Sequence, residues 1–304
     1  MPATAYDAEK FFSGLVDAGL IVPAGVPGIF GRNHVFEDVL DRFNDVVTDL
    51  AKDDGADYFV YPPAIDRAVL EKSDYMDGFP DLAGTVFSFR GKELTARQLS
   101  EAIHNGEDWG QYQSMTDVVL NPAACYPVYP SFTGTVPKEG KLVTMLNWVF
   151  RNEPSREPTR MQSFRVREFV RCGTPEQVVE WRDMWLQRGL RLLESLQLPV
   201  HAEVASDPFF GKGGRMLAAS QRQQKLKFEV TAPVISEDEP TALCSFNFHQ
   251  DHFGEAFHIR TGDGEVANTA CLGFGLERVV MALFQAHGFD PRGWPSEVRD
   301  KLWT

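Results

Sequence analysis

The stretch that most constrains this chain is Phe150–Glu168, FRNEPSREPTRMQSFRVRE. Apolar-rich segments at Leu142–Val149 and Phe164–Val170 flank a loop of Pro, Ser, Arg and Glu, a pattern that reads as two antiparallel strands and a long connection. Arginines bordering such a loop suit a polyphosphate, because guanidinium keeps its charge and donates bidentately to phosphate oxygens. A charged hairpin turned to solvent fits the same residues, so this stretch alone does not choose.

A chain of 304 residues has room for one large domain or two small ones. Its 43% hydrophobic and 24% charged content is that of a soluble globular protein. No apolar run reaches membrane-spanning length, and the first twenty residues carry acids where a signal peptide would be basic. Four widely spaced cysteines without a CxxC predict a reduced, cytoplasmic setting. The net charge of −13 disfavours a nucleic-acid backbone as partner. Residues 151–230 nevertheless hold 14 Lys and Arg against 10 Asp and Glu, a local basic zone that fits a nucleotide and an acidic protein better than RNA.

In chain order, Ile21–Gly31 reads as loop. Val35–Leu50 has apolar residues at helical spacing, and Asp57–Tyr61 reads as a strand stopped by Pro62 and Pro63. This element suits a dimer contact, and a core helix is the simpler reading. Further helices are expected at Ala64–Lys72 and Leu94–His104, and strands at Val86–Phe89 and Val118–Leu120. The latter turns at Asn121–Cys125. Thr174, Pro175 and Gln177 form a capping-box start for a helix running to Pro199. Asp207–Gly214 is a Gly-rich loop without the GxxxxGK[ST] spacing, followed by a helix at Arg215–Gln224. Lys225–Val230 is a strand with Lys225, Lys227 and Glu229 on one face, and Thr241–Phe248, Glu255–Arg260 and Val266–Cys271 are further strands. Gly273–Arg278 (GFGLER) then passes into a helix ending at Gly288, with Arg278 in its first turn. A cation there opposes the helix dipole, which implies an anionic reason for it.

Three pieces thus occur in order: helix–strand–proline, FRxE–loop–F, and GFGLER. Together they resemble the signature motifs of class II aminoacyl-tRNA synthetases over about residues 35–290. Within that class the chain is most similar to the catalytic core of the atypical zinc-dependent seryl-tRNA synthetases, without the N-terminal arm that holds tRNA. It resembles most a truncated group of such proteins, the amino acid:carrier-protein ligases. The resemblance implies an α+β fold, an antiparallel sheet flanked by helices in a single catalytic domain (residues 1–304). It also implies a homodimer through Val35–Tyr61, and ATP with Mg2+. Arg151 would hold the α-phosphate and the amino-acid carboxylate, and Glu153, Arg160 and Met161 would meet the adenine edge. Phe164 would stack on adenine while Arg278 covers its other face. Lys227 and the strand Ala242, Leu243, Cys244, Ser245 would line the rest of the ATP site. One departure is visible: Thr241 stands where relatives carry a magnesium-binding Glu, leaving Glu229 and Glu239 as nearby candidates.

Cys125, Glu168 and Cys271 come from a turn, a hairpin strand and a final strand that are able to converge. Two thiolates and one carboxylate leave a metal position open, the pattern of a working zinc. In the family that position takes the substrate's free α-amine. Cys172 and Cys244 match no ligand position.

The expected activity is ATP-dependent activation of glycine or alanine and transfer to a carrier protein's phosphopantetheine thiol, with neither tRNA nor membrane as partner. The alternatives are a compact tRNA-charging enzyme of the same fold and a catalytically silent dimeric paralogue.

Overall fold

The computed structural model describes residues 8–303, the side chain of Lys212 excepted. Seven strands form the main sheet: β1 (Asp57–Phe59), β2 (Lys141–Phe150), β3 (Ser163–Gly173), β4 (His201–Val204), β5 (Lys227–Ala232), β6 (Thr241–Gln250) and β7 (Asn268–Gly275). Their order is β4-β5-β6-β7-β3-β2-β1, antiparallel throughout except for the parallel β1–β2 pair. The expected α+β fold is present.

Alternation along the strands assigns the two faces of the sheet. Phe169, Phe246 and Phe274 point to one side and are fully buried there. Helices α1 (His34–Ala51), α2 (Pro175–Ser195) and a later helix, Leu276–His287, cover that side. Phe43 of α1 meets Phe274 edge-on at 5.7 Å, and Trp185 of α2 stacks on Phe169 at 5.0 Å. Burying each of these rings contributes roughly 2 kcal/mol. Gly189 lets α2 approach so closely that a Cβ there would lie 2.8 Å from the Phe246 ring. The opposite face carries Phe164, Val166, Glu168, Ser245, Asn247, Cys271 and Gly273, and it lines a cavity.

Local signals account for the helix ends. Asn33 caps α1 by accepting from the Val35 and Phe36 N–H groups. The Thr174–Gln177 capping box starts α2 as expected. Helix α3 (Gly211–Gln223) stands beside the cavity, and α4 (Leu276–His287) stops at Gly288.

Four expectations are corrected. Ile21–Gly31 is no simple loop: Ile21–Pro23 and Phe30–Arg32 pair as a small hairpin, held because Leu20, Ile21 and Phe30 are buried. Only Arg67–Lys72 of the 64–72 segment is helical, because Asp66 caps it and Ala64–Asp66 pairs with 118–120. Glu255 and Ala256 end a short helix, His252–Ala256, which buries Phe253, and only Ile259–Arg260 is strand. The Gly-rich 207–214 stretch is loop only to Phe210; α3 begins at Gly211.

A second, three-stranded sheet joins Ala64–Asp66, Gln113–Leu120 and Thr85–Phe89. It has its own small core of Ile65, Leu70, Tyr75, Leu82 and Val119. Tyr75, Phe79 and Leu82 of this layer form one wall of the cavity.

Candidate active site

The cavity between the sheet and the smaller layer measures about 700 Å³. At its floor Cys125, Glu168 and Cys271 each offer one ligand atom, and these atoms lie within 4.8 Å of one another. Cys125 sits in the turn before Tyr126–Phe132, Glu168 on β3 and Cys271 on β7. Glu168 faces Gly273 across the β3–β7 ladder, and a Cβ at Gly273 would press to 2.9 Å from Val166. The glycine therefore keeps open the floor beside the carboxylate.

All three groups are buried. The Cys125 thiol is held well above its ordinary pKa by its hydrogen bond with Cys271 and by burial. For Cys271 the bond with Cys125 works downward, but burial and the neighbouring Glu168 prevail and raise it. Burial raises Glu168 too, against hydrogen bonds from both thiols. Three anion-forming groups crowded in a dry pocket are a poor arrangement by themselves and a good one around a divalent cation. The donor set fits zinc with one coordination position left over. Cys172 lies apart in the core, and Cys244 borders the cavity outside the trio; all four cysteines are free.

Two guanidinium groups also line the cavity. Arg151 donates from Nε to Pro122 O at 3.3 Å and lies 5.8 Å from the Phe164 ring centroid. Arg278 donates to Thr159 O at 3.0 Å and to Ala242 O at 3.2 Å, bridging the hairpin loop and β6. Burial lowers the Arg278 pKa, and the positive charge of Arg151 adds to that. Among the described residues neither arginine makes an ion pair, although the carboxylates of Glu168, Asp207 and Glu229 line the same cavity.

The other expected residues are placed as follows. Phe164, Lys227, Ala242, Leu243, Cys244 and Ser245 all line the cavity. The Lys227 ammonium is already engaged, at 2.6 Å from Asp207 and 3.0 Å from Glu229. Glu153 pairs with Arg160 at 3.4 Å, and Arg160 pairs with Glu157 at 3.1 Å, which pins the ends of the hairpin loop together. Met161 is turned inward, its sulfur 3.7 Å from Arg32 Nη2. Of the two acids near Thr241, Glu229 borders the cavity and Glu239 is exposed.

Sequence reasoning passed over Asp207, Asn247, His249, Tyr75 and Tyr129. Burial takes the His249 pKa down to about 3, so its imidazole is neutral, and takes the Tyr75 pKa up to about 12. Among the described residues the Tyr75 hydroxyl is buried without a hydrogen-bond partner, and the buried Tyr129 hydroxyl has only the Cys125 thiol beside it. A signal for two of the five was present: Ser245-Phe-Asn247-Phe-His249 alternates polar with aromatic on one strand. The other three come from loops and short helices with no periodicity to mark them.

A helix-backed antiparallel sheet whose open face lines the cavity, with Arg151 and Arg278 at its edge, has the fold of class II aminoacyl-tRNA synthetase cores. Comparison with known proteins agrees. Amino acid–(acyl-carrier-protein) ligases 1 and 2 of Bradyrhizobium diazoefficiens are 41% identical over 280 residues and 42% over 290. These matches cover 91% and 95% of this chain, and 86% of each relative. The type-2 serine–tRNA ligase of Methanopyrus kandleri is 30% identical over 259 residues, covering 81% of this chain and 46% of that one. Among solved structures, M. kandleri SerRS in complex with A. aeolicus tRNASec superposes with a TM-score of 0.82 at 20% identity, over 99% of this chain and 61% of that one. No protein-family model matches. The chain belongs to the amino acid–(acyl-carrier-protein) ligases, a ligase family built on the class II synthetase fold.

Proposed function

We propose that this chain activates glycine or alanine with ATP and Mg2+ and passes the aminoacyl group to the phosphopantetheine thiol of a carrier protein. The reading rests on one observation: the Cys125–Glu168–Cys271 trio and the unpaired Arg151 and Arg278 open into a single cavity. The three close ligand atoms suit a metal that takes a bare amine, and the two arginines suit a nucleotide. The family to which the chain belongs supports the carrier-protein part of this reading.

Zinc held by Cys125, Glu168 and Cys271 would supply a Lewis-acidic position for the substrate's α-amine. The amino-acid carboxylate then turns toward Arg151, which also faces the α-phosphate. As the carboxylate oxygen attacks that phosphorus and pyrophosphate leaves, negative charge grows on the non-bridging oxygens. Arg151 would stabilise that charge, while Arg278 would reach the γ-phosphate that departs within pyrophosphate. Phe164 and Arg278 hold adenine between them, with Glu153, Arg160 and the main chain at Met161 along its edge. Glu229, at the cavity wall, is the preferred carboxylate for the magnesium ion. In the second step the thiol sulfur attacks the acyl carbonyl and AMP leaves, so positioning suffices and no protein nucleophile is needed.

Helix α3 is the proposed carrier-protein contact. It leaves Met216 and Leu217 exposed, with Phe210 just before it, and its residues Ser220 and Gln221 border the cavity. Arg215 and Arg222 on the same helix would meet acids of the carrier. A homodimer is proposed through β1: α1 buries its apolar face within the chain, whereas Tyr58 and Val60 remain 55% and 70% exposed. We read the chain as a single catalytic domain of the cytoplasm, where its free thiols stay reduced. No helix among the described residues is long and apolar enough to cross a membrane.

The deciding experiment is ATP–pyrophosphate exchange with a panel of amino acids, followed by acceptor assays with holo-carrier protein and with tRNA. Exchange confined to glycine or alanine, and transfer to the carrier alone, is the expected result. Transfer to tRNA would favour the compact synthetase, and no exchange with any amino acid would favour a silent paralogue.

A further inference from the structure

The sulfur of Cys271 has neighbours that the three-ligand reading leaves unused. Asn247 Nδ2 donates to it at 3.5 Å, and His249 Nε2 also lies 3.5 Å away. Both side chains are on β6, in the half of the strand that pairs with Cys271 and its neighbours. Asn247 is directly opposite Cys271, as register demands. His249 is not: the β6–β7 ladder shifts register between Phe248 and Gln250, and Gln250 takes a left-handed backbone with φ of 55°. A bulge at that point re-aims one side chain, and a non-glycine residue in this conformation is strained. Here the re-aimed side chain is the imidazole, and it reaches the metal-facing sulfur.

The other ring nitrogen, Nδ1, sits 3.0 Å from Thr269 Oγ1. When the threonine hydroxyl donates to Nδ1, the ring proton resides on Nε2 and points at Cys271. His249 is not itself one of the three mutually close ligand atoms, so as placed it faces the sulfur and not the centre of the trio.

We propose that Asn247 and His249 are positioning residues for the metal centre, each donating an N–H···S hydrogen bond to the Cys271 thiolate. Such bonds draw electron density from the sulfur, leaving the metal more acidic toward an incoming amine, and they fix the direction in which the thiolate points. The proposal rests on the reading of Cys125, Glu168 and Cys271 as metal ligands.

Cobalt(II) substitution tests it with a readout independent of turnover. The unsubstituted protein is expected to show the near-ultraviolet sulfur-to-cobalt charge-transfer band of a two-thiolate site. Absence of that band would overturn the metal centre and this proposal with it. Given the band, Asn247→Leu and His249→Phe are each expected to move it to lower energy, because a thiolate stripped of a donor is easier to oxidise. They are also expected to weaken metal binding about 10- to 100-fold in chelator competition. His249→Gln, which retains an N–H donor, is expected to recover part of both effects. A band and an affinity unchanged in both Asn247→Leu and His249→Phe, the variants that remove the donors, would overturn the proposal while leaving the metal centre intact.

Discussion

Glu277 accepts two hydrogen bonds from Arg165, one from the main-chain N–H at 2.7 Å and one from Nε at 2.9 Å. Each partner sits next to a residue proposed to hold adenine: Arg278 follows Glu277, and Phe164 precedes Arg165. Glu37 of α1 grips the same guanidinium at 2.6 and 2.8 Å, and Arg32 approaches Glu277 at 3.5 Å. The spacing between the two walls of the proposed nucleotide site is thus set by a buried ion-pair network that reaches the helix before β1. Glu277 is fully buried, so breaking its pair should cost about 3–5 kcal/mol. Glu277→Gln is expected to lower the urea midpoint accordingly. It should also raise the KM for ATP more than that for the amino acid; equal changes in both would mean that the network only holds the fold.

The metal reading predicts that Cys271→Ala, which removes one thiolate, empties the site and abolishes amino-acid activation while leaving oligomeric state unchanged. Elemental analysis beside size-exclusion chromatography makes the check, and metal content equal to that of the parent protein would refute the ligand set.

Adenine binding divides into a stacking part and an ionic part. Phe164→Ala should raise the KM for ATP about 10-fold, since stacking of a base on a ring is worth roughly 1–3 kcal/mol. Arg278→Lys keeps the charge but loses the planar group that spans Thr159 O and Ala242 O, so exchange should fall by about 100-fold or more. Exchange kinetics at varied ATP separate the two.

Asp207 supplies a pH signature. Burial pushes its pKa up, but Lys227 at 2.6 Å outweighs this, and the folded value lies below the ordinary 3.8. A depressed carboxylate binds fewer protons folded than unfolded. Its contribution is therefore fully present above the unfolded value and is lost as pH falls through the folded one. Unfolding free energies measured from pH 6 to pH 2 should fall less steeply below pH 4 in Asp207→Asn than in the parent chain; parallel curves would contradict the assignment.

The carrier contact predicts a split. Met216 is 77% exposed and borders no part of the cavity, so Met216→Glu should leave pyrophosphate exchange unchanged while raising the KM for holo-carrier protein. An unchanged carrier KM would move the docking surface elsewhere.

Much of the architecture was legible from local chemistry. The apolar spacing of α1, the capping box of α2, the two hairpin strands and the Gly288 stop of α4 appear where their residues predict them, because each depends on neighbours within a turn or a ladder step. Short elements were misread where burial overrode local preference. Ile21–Pro23 pairs because Ile21 has a core to enter, and Glu255 ends a helix because Phe253 packs against Tyr129 at 4.0 Å.

By itself the sequence determined the strands that could carry Glu168 and Cys271, the loop arginines, and the family to which they point. Tertiary structure alone decided that the two sulfurs and the carboxylate share 4.8 Å, and that Lys227 is spoken for by Asp207. It also decided that a bulge turns His249 toward Cys271. The reason is physical: periodicity reports which face of an element is buried, whereas ligand geometry depends on register and backbone bends between strands far apart in the chain.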